Sequence, residues 1–235
     1  MLPMLLLQIS TTTTEQVMTD VATEPAASIN LLELLFKGGW MMLPLALLLV
    51  GAIYIILERW FTLKNASKLP KDFNETIRAL VAEGEVQQAL MVCQQSDSPV
   101  AKMIEKGISR IGSSLKNIEA SIENVGKIEI YRLEKNLSVL ATISGAAPMM
   151  GFLGTVTGMI SAFIAIAQEE GSVSPKLLSS GIYEAMITTA FGLLVGLIAY
   201  LGYNFLVAKV QKLIQSMEYN AIDFIDLLQE PQNKV

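Results

Sequence analysis

The stretch LLSSGIYEAMITTAFGLLVGLIAYLGYNFLVA, residues 177–208, carries a single charged side chain, Glu184. A run of roughly 18 or more apolar residues is long enough to cross a bilayer. A second stretch, residues 136–168, contains no Asp, Glu, Lys or Arg at all. A third, residues 41–57, reaches spanning length once Gly38 to Trp40 are added. These three runs predict an all-α membrane protein with three transmembrane helices.

Composition agrees. Of 235 residues, 52% are hydrophobic and only 17% charged, against about 25% charged in an ordinary soluble domain. The net charge of −5 says little, because local charges govern a membrane chain. No basic patch is interleaved with aromatics, so nucleic-acid binding has no support. There is no histidine and one cysteine, Cys93. His-based triads and metal sites are thereby excluded, and no intrachain disulfide framework exists. Cys93 reads as a small apolar packing residue. No cofactor or metal cluster is expected. Met1 to Leu7 lack a basic flank and make a poor signal peptide. Residues 1–30, Thr- and Ala-rich with a run from Thr11 to Thr14, read as a flexible arm outside the cytoplasm.

Charge placement orients the chain. Lys37 lies before the first span and Lys176 between the second and third; the remaining 15 of 17 Lys and Arg lie after the first span and before the second, or after the third. Basic residues are retained in the cytoplasm, which puts the N-terminus outside and the C-terminus inside. Trp40 and Trp60 bracket the first span as interfacial anchors, and Tyr200 and Tyr203 read as further anchors. The expected divisions are a first transmembrane helix over 31–60, a cytoplasmic helical domain over 61–135, a second span over 136–168, an extracytoplasmic loop over 169–176, a third span over 177–208 and a cytoplasmic tail over 209–235.

The long loop is patterned rather than linker-like. Ile118, Ile122, Val125, Ile128, Leu133, Leu137 and Leu140 recur at helical spacing, which predicts a helix running unbroken into span two. Its charges, Glu119, Glu123, Lys127, Glu129, Arg132, Glu134 and Lys135, read as a solvated, mutually paired face. Asp97-Ser98-Pro99 and Ser174-Pro175 read as helix starts, a capping residue followed by proline. A helix over 136–168 would be ~50 Å long against a hydrocarbon core of ~30 Å. Spans two and three therefore extend into the cytoplasm.

Glu184 sits ~14 Å along its helix, well inside the bilayer. A carboxylate there costs several kcal/mol unless it faces water, is paired, or stays protonated. It is a candidate for ion or proton binding; the alternative is a neutral acid that merely bonds neighbouring helices. Thr188 and Thr189 follow one turn on, and Gly192 and Gly196 continue the face. Span two carries a matching stripe of Gly151, Thr155, Gly158 and Ala162, with Ser144, Gly145 and Ala147 before it. Small stripes allow close helix contact, and Gly154–Gly158 and Gly192–Gly196 are GxxxG pairs. Together they suggest that spans two and three line a common polar pathway, one in which hydroxyls order water. Pro148 interrupts span two and frees the Ser144 carbonyl, as a static kink or a hinge. Asn204 is placed to bond across subunits.

These residues carry a resemblance. Ala147-Pro148-Met149-Met150-Gly151-Phe152-Leu153-Gly154-Thr155-Val156-Thr157-Gly158 resembles the span-two signature of the MotA/TolQ/ExbB proton-channel family, and Tyr183-Glu184-Ala185-Met186-Ile187-Thr188-Thr189-Ala190-Phe191-Gly192, with Tyr203-Asn204, resembles its span-three signature. Gly38-Gly39-Trp40, Glu58-Arg59 and Ser98-Pro99-Val100-Ala101 also fit. The resemblance covers about residues 31–225. It implies a subunit of a proton-motive-force-driven motor in a bacterial inner membrane. It further implies a homopentamer around a single-span ExbD/TolR-like partner, with work passed to a TonB-like protein in the ExbB branch or to envelope maintenance in the TolQ branch. By motif position it implies Thr155, Glu184 and Thr189 as pore-lining residues. Glu184 either carries the proton or tunes a partner's aspartate. Three spans depart from the four of the flagellar branch. Two other readings stay open: a non-conducting scaffold in which the acid is glue, and sodium in place of protons. An enzyme has little support, since no nucleophile–base pair, phosphate loop or metal cluster is visible.

Overall fold

A computed structural model describes residues 38–70, 72–168 and 175–229, with the side chains of 175–178 left aside. The arm over 1–30, the first-span residues before Gly38, the loop from 169 through Ser174 and the last six residues lie outside the described residues. Within them the chain is wholly helical: α1 Met42–Ala66, α2 Phe73–Ala82, α3 Val86–Gln94, α4 Pro99–Ile108, α5 Leu115–Glu134, α6 Leu137–Gln168 and α7 Pro175–Gln229. Three helical stretches, in α1, α6 and α7, are long and apolar enough to cross a membrane.

α7 is the post of the molecule. Its 55 residues make a rod of ~83 Å, well over twice the ~30 Å hydrocarbon core. Pro175 opens it at the first turn, where a missing N–H costs nothing, and no proline follows until Pro231. One half of α7 packs along α6, with α1 laid against both; the other half carries α2, α4 and α5. On α1 the residues Leu43, Leu47, Val50, Tyr54, Leu57 and Phe61 are exposed while Leu45, Ala52, Ile55 and Leu63 are buried. An exposed apolar stripe at helical spacing suits lipid and would be a liability in water.

The extramembrane half holds a conventional core. Phe73, Ile77, Ile104, Ile108 and Ile122 close around Met217 and Phe224 of α7. α4 starts at Pro99 with Ser98 in the cap position, although the Ser98 hydroxyl makes no capping bond. Cys93 is 1% exposed, and burial, with Glu105 nearby, pushes its thiol pKa up to about 12. The thiolate is the reactive form. The native protein is accordingly expected to resist maleimide at neutral pH and to be labelled fully once denatured. Rapid native labelling, read by mass shift, would contradict this packing.

The expected continuous helix into span two is corrected. α5 ends at Glu134 and α6 begins at Leu137, because Asn136 adopts φ 64°. That left-handed conformation is one that Asn tolerates better than most side chains. Breaking a helix leaves its last carbonyls without partners, and Arg59 answers one of them. Its guanidinium, 4% exposed, donates to the Arg132 carbonyl at 3.1 Å and is paired with Glu58. The charged face of α5 also holds an exception to solvation. Glu129 is buried, accepts from Arg132 at 2.5 Å and faces Lys102 of α4 at 3.9 Å. It joins α4 to α5, whereas the exposed Glu123–Lys127 pair does the solvated work expected of the face.

Candidate functional site

α6 and α7 run antiparallel with small residues facing small residues at every level. A Cβ added to Gly192 would lie 2.7 Å from the Ala147 carbonyl oxygen and 2.7 Å from the Gly151 Cα. One added to Gly151 would lie 2.9 Å from the Thr188 carbonyl oxygen. Further along, a Cβ at Gly158 would meet Ala185 at 3.0 Å, and one at Gly181 would meet Ala162 at 2.6 Å. Toward the other end, Gly196 faces the Pro148 ring, whose Cγ would be 2.5 Å from an added Cβ. The Ser144 carbonyl, released by Pro148 from its helical bond, also points at Gly196, 3.1 Å from that Cβ position. Gly151, Gly154, Gly158, Gly192 and Gly196 thus sit along one close seam, backbone against backbone where Gly151 meets Gly192.

Two threonines cross this seam. The Thr189 hydroxyl donates to the Gly151 carbonyl at 3.0 Å. The Thr188 hydroxyl, 2% exposed with its residue, donates to Ala185 at 2.7 Å and lies 3.5 Å from the same Gly151 carbonyl. Gly154 makes room for it: a Cβ there would fall 2.5 Å from Thr188 Oγ1.

Glu184 lies one turn before Thr188 on α7 and borders a cavity of about 240 Å3, room for several waters. Thr157, Gly158 and Ser161 of α6 line one wall, Ser180, Glu184 and Thr188 of α7 another, and Gly38, Trp40 and Met41 the mouth. The two α6 hydroxyls share an orientation. Thr157 donates to the Leu153 carbonyl at 3.0 Å and Ser161 to the Thr157 carbonyl at 3.0 Å. With their protons committed to their own helix, these oxygens present lone pairs to the cavity. An acceptor-lined, carboxylate-bearing cavity favours water that donates into it, hydronium, or a small cation.

The structure therefore brings Glu184 and Thr188 together and sets two expected partners apart. Thr155 does not border this cavity; half-buried, it donates to the Phe152 carbonyl at 2.6 Å. Thr189 reaches across the seam instead. Asn204 is exposed and donates to the Tyr200 carbonyl at 2.8 Å. Thr157, Ser161 and Ser180 join the lining beyond the expected residues, and spacing carries a signal for two of them: Ser161 falls three residues after Gly158, and Ser180 four before Glu184. Among the described residues no cluster of His, Cys, Asp or Glu has the makings of a metal site.

Gly39 lies against the acid itself. It adopts φ +67°, and a Cβ there would collide with a Glu184 carboxylate oxygen. The acid is seated against bare backbone. Gly39→Ala is expected to unseat it and to accelerate modification of Glu184 by an apolar carbodiimide several-fold, as read by peptide mass. Gly51→Ala, whose Cβ would meet nothing within 4 Å, serves as the control. Equal rates in all three proteins would remove Gly39 from the site.

Fold and site define a multi-pass membrane protein whose two closest-packed spans line an acidic, hydroxyl-bearing cavity, open on the side where Ser161, Ser180 and Glu184 are exposed. Comparison with known proteins gives the class its name: the chain belongs to the MotA/TolQ/ExbB proton channel family, whose family model matches residues 95–219. It is 30% identical over 195 residues to the biopolymer transport protein ExbB-like 1 of Synechocystis, covering 82% of this chain and 75% of that protein. It is 26% identical over 190 residues to an ExbB homolog of Methanothermobacter thermautotrophicus, covering 80% of this chain and 67% of that protein. Over 98 residues it is 35% identical to the Tol-Pal system protein TolQ of Haemophilus influenzae, 42% of this chain and 41% of that protein. With its three apolar helices and this family, the chain is a multi-pass protein of the bacterial inner membrane, in a family of proton channels rather than of enzymes.

Proposed function

We propose that this chain is the ring-forming subunit of an ExbB-like motor that converts the proton-motive force into work on TonB-dependent outer-membrane transport. Five copies surround the single-span helices of an ExbD/TolR-like partner, and a TonB-like protein takes up the motion. The N-terminus lies outside and the C-terminus in the cytoplasm, as the placement of 15 of 17 basic residues favours. The observation that carries the reading is Glu184 at a hydroxyl-lined cavity between two spans, because an intramembrane acid with polar company is an ion-pathway element by default. In the assembled ring, Thr155 and Thr189 join Glu184 as the polar lining beside the partner helices.

The test is complementation. The chain is produced with its partner in cells lacking their own ExbB-type system, and energy-dependent uptake through an outer-membrane transporter is followed. Uptake restored and then abolished by a protonophore is the expected result. Failure to restore it despite normal assembly with the partner, or uptake indifferent to the protonophore, rejects the proposal. The similarity to TolQ supports an envelope-maintenance motor as the second reading; rescue of detergent resistance in place of uptake would select it.

A further inference from the structure

Where the apolar stretches of α1 and α7 end on the side of the extramembrane bundle, an aromatic pair joins the two helices. Trp60 of α1 stacks on Phe205 of α7 with ring centroids 5.1 Å apart and planes 13° from parallel. The Lys209 ammonium lies 4.0 Å from the Trp60 centroid and 4.8 Å from that of Phe205. Neither ring is enclosed: Trp60 is 40% and Phe205 44% exposed.

The surroundings of this pair change character along both helices in the same direction. Toward the membrane, Leu57 lies one turn before Trp60 and Leu201 one turn before Phe205, and both are exposed. Away from it, Lys64 follows Trp60 by four residues, while Lys209 and Lys212 follow Phe205 by four and seven. Residues at such spacings share a helix face, and Lys64 and Lys212 are exposed. Lys209 thus caps the aromatic floor, Lys64 and Lys212 fall on the same helix faces beyond it, and an exposed leucine precedes each ring on the membrane side.

No acid follows closely on either helix. Neither 60–71 nor 204–217 contains an Asp or Glu. Among the described residues, the ion pairs of this protein involve none of the three lysines. The neighbouring Arg59 is spent inward on Glu58 and the Arg132 carbonyl. Ring faces hold the Lys209 ammonium from one side only, so its remaining N–H groups are directed elsewhere. Clustered like charges repel unless a counter-charge joins them.

We propose that Trp60, Phe205 and Lys209, with Lys64 and Lys212 at the rim, form a binding site for the headgroup of an anionic phospholipid. The phosphate sits among the ammonium groups, the indole lies at the glycerol level where amphipathic rings belong, and the acyl chains follow Leu57 and Leu201. An anionic headgroup continuous with apolar tails matches this sequence of surfaces, and basic pockets between spans recognise such headgroups. A soluble anion would have no use for the leucine tracks. The inference does not rest on proton conduction.

The full-length protein, purified in mild detergent, would be mixed with equal amounts of phosphatidylglycerol and phosphatidylcholine, and the lipid retained would be counted by native mass spectrometry. Phosphatidylglycerol is expected to be retained several-fold over phosphatidylcholine. Lys209→Gln combined with Lys212→Gln is expected to abolish that preference, and Trp60→Ala to weaken it; Trp60→Phe, which keeps the stack, and Lys116→Gln, remote from it, are expected to preserve it. Thermal melting of each variant establishes that the fold is intact. Equal retention of the two lipids, or a preference surviving in the double lysine variant, overturns the site. So does displacement of the lipid by inorganic phosphate alone, which marks a soluble-anion site. A change of oligomeric state in the lysine variant with no change in lipid marks a contact between copies and likewise overturns it.

Discussion

Glu184→Gln is expected to reduce proton-motive-force-driven transport to the level seen with a protonophore, while protein level, membrane insertion and ring assembly stay unchanged. Gln matches Glu in size and retains a carbonyl oxygen. The seat against Gly39, whose missing Cβ leaves the space, accommodates either side chain. What Gln lacks is an ionisable group. If the carboxyl binds the moving proton, the substitution removes the carrier. If it sets the field in which a partner's acid titrates, it removes that field. Both routes end transport, whereas the glue reading leaves it intact, because an amide bonds neighbouring helices as well as an acid does. Uptake assays in cells whose membrane fraction shows verified assembly separate these cases. Near-normal uptake in the Gln variant would reduce Glu184 to a packing residue and remove the main support for a pathway between α6 and α7.

Gly192→Leu is expected to have an effect of similar size by another cause. Its first added carbon would lie 2.7 Å from both the Ala147 carbonyl oxygen and the Gly151 Cα. These are backbone atoms on the facing helix, which cannot swing aside as a side-chain tip does. Overpacking where side chains can adjust costs about 1–3 kcal/mol; here the two helix axes must separate. Separation also breaks the Thr189 bond to the Gly151 carbonyl. The expected result is loss of assembled protein on native gels, with transport lost in proportion. Gly145→Ala is the matched control, since a Cβ there would meet nothing within 4 Å. It is expected to be neutral or slightly stabilising, Gly costing roughly 0.5–1 kcal/mol against Ala inside a helix. Normal assembly of the Leu variant would mean that the α6–α7 seam is looser than described.

The two substitutions fail differently. Glu184→Gln should leave an assembled but idle protein, and Gly192→Leu little assembled protein at all. Finding both defects in one variant would indicate that acid and seam are not separable parts.

Three apolar runs, one acid among them and two stripes of small residues were legible without coordinates. Each is a property of a single helix: its length against the bilayer, its composition, and the spacing of residues on its own face. The start of α4 at Ser98-Pro99 belongs to the same kind, since a local signal fixes it. What the tertiary structure alone decided is how those faces meet. Thr188 and Thr189 are adjacent in sequence and both reach toward the Gly151 carbonyl, yet only Thr188 borders the Glu184 cavity; spacing gives the angle between them but not the direction of the neighbouring helix. The break at Asn136 is hidden in a stretch with good helical periodicity, and the turn there is stabilised by Arg59, which lies far away in the sequence. Gly39 meets Glu184 only because α1 packs against α7, a contact between segments that no local pattern records.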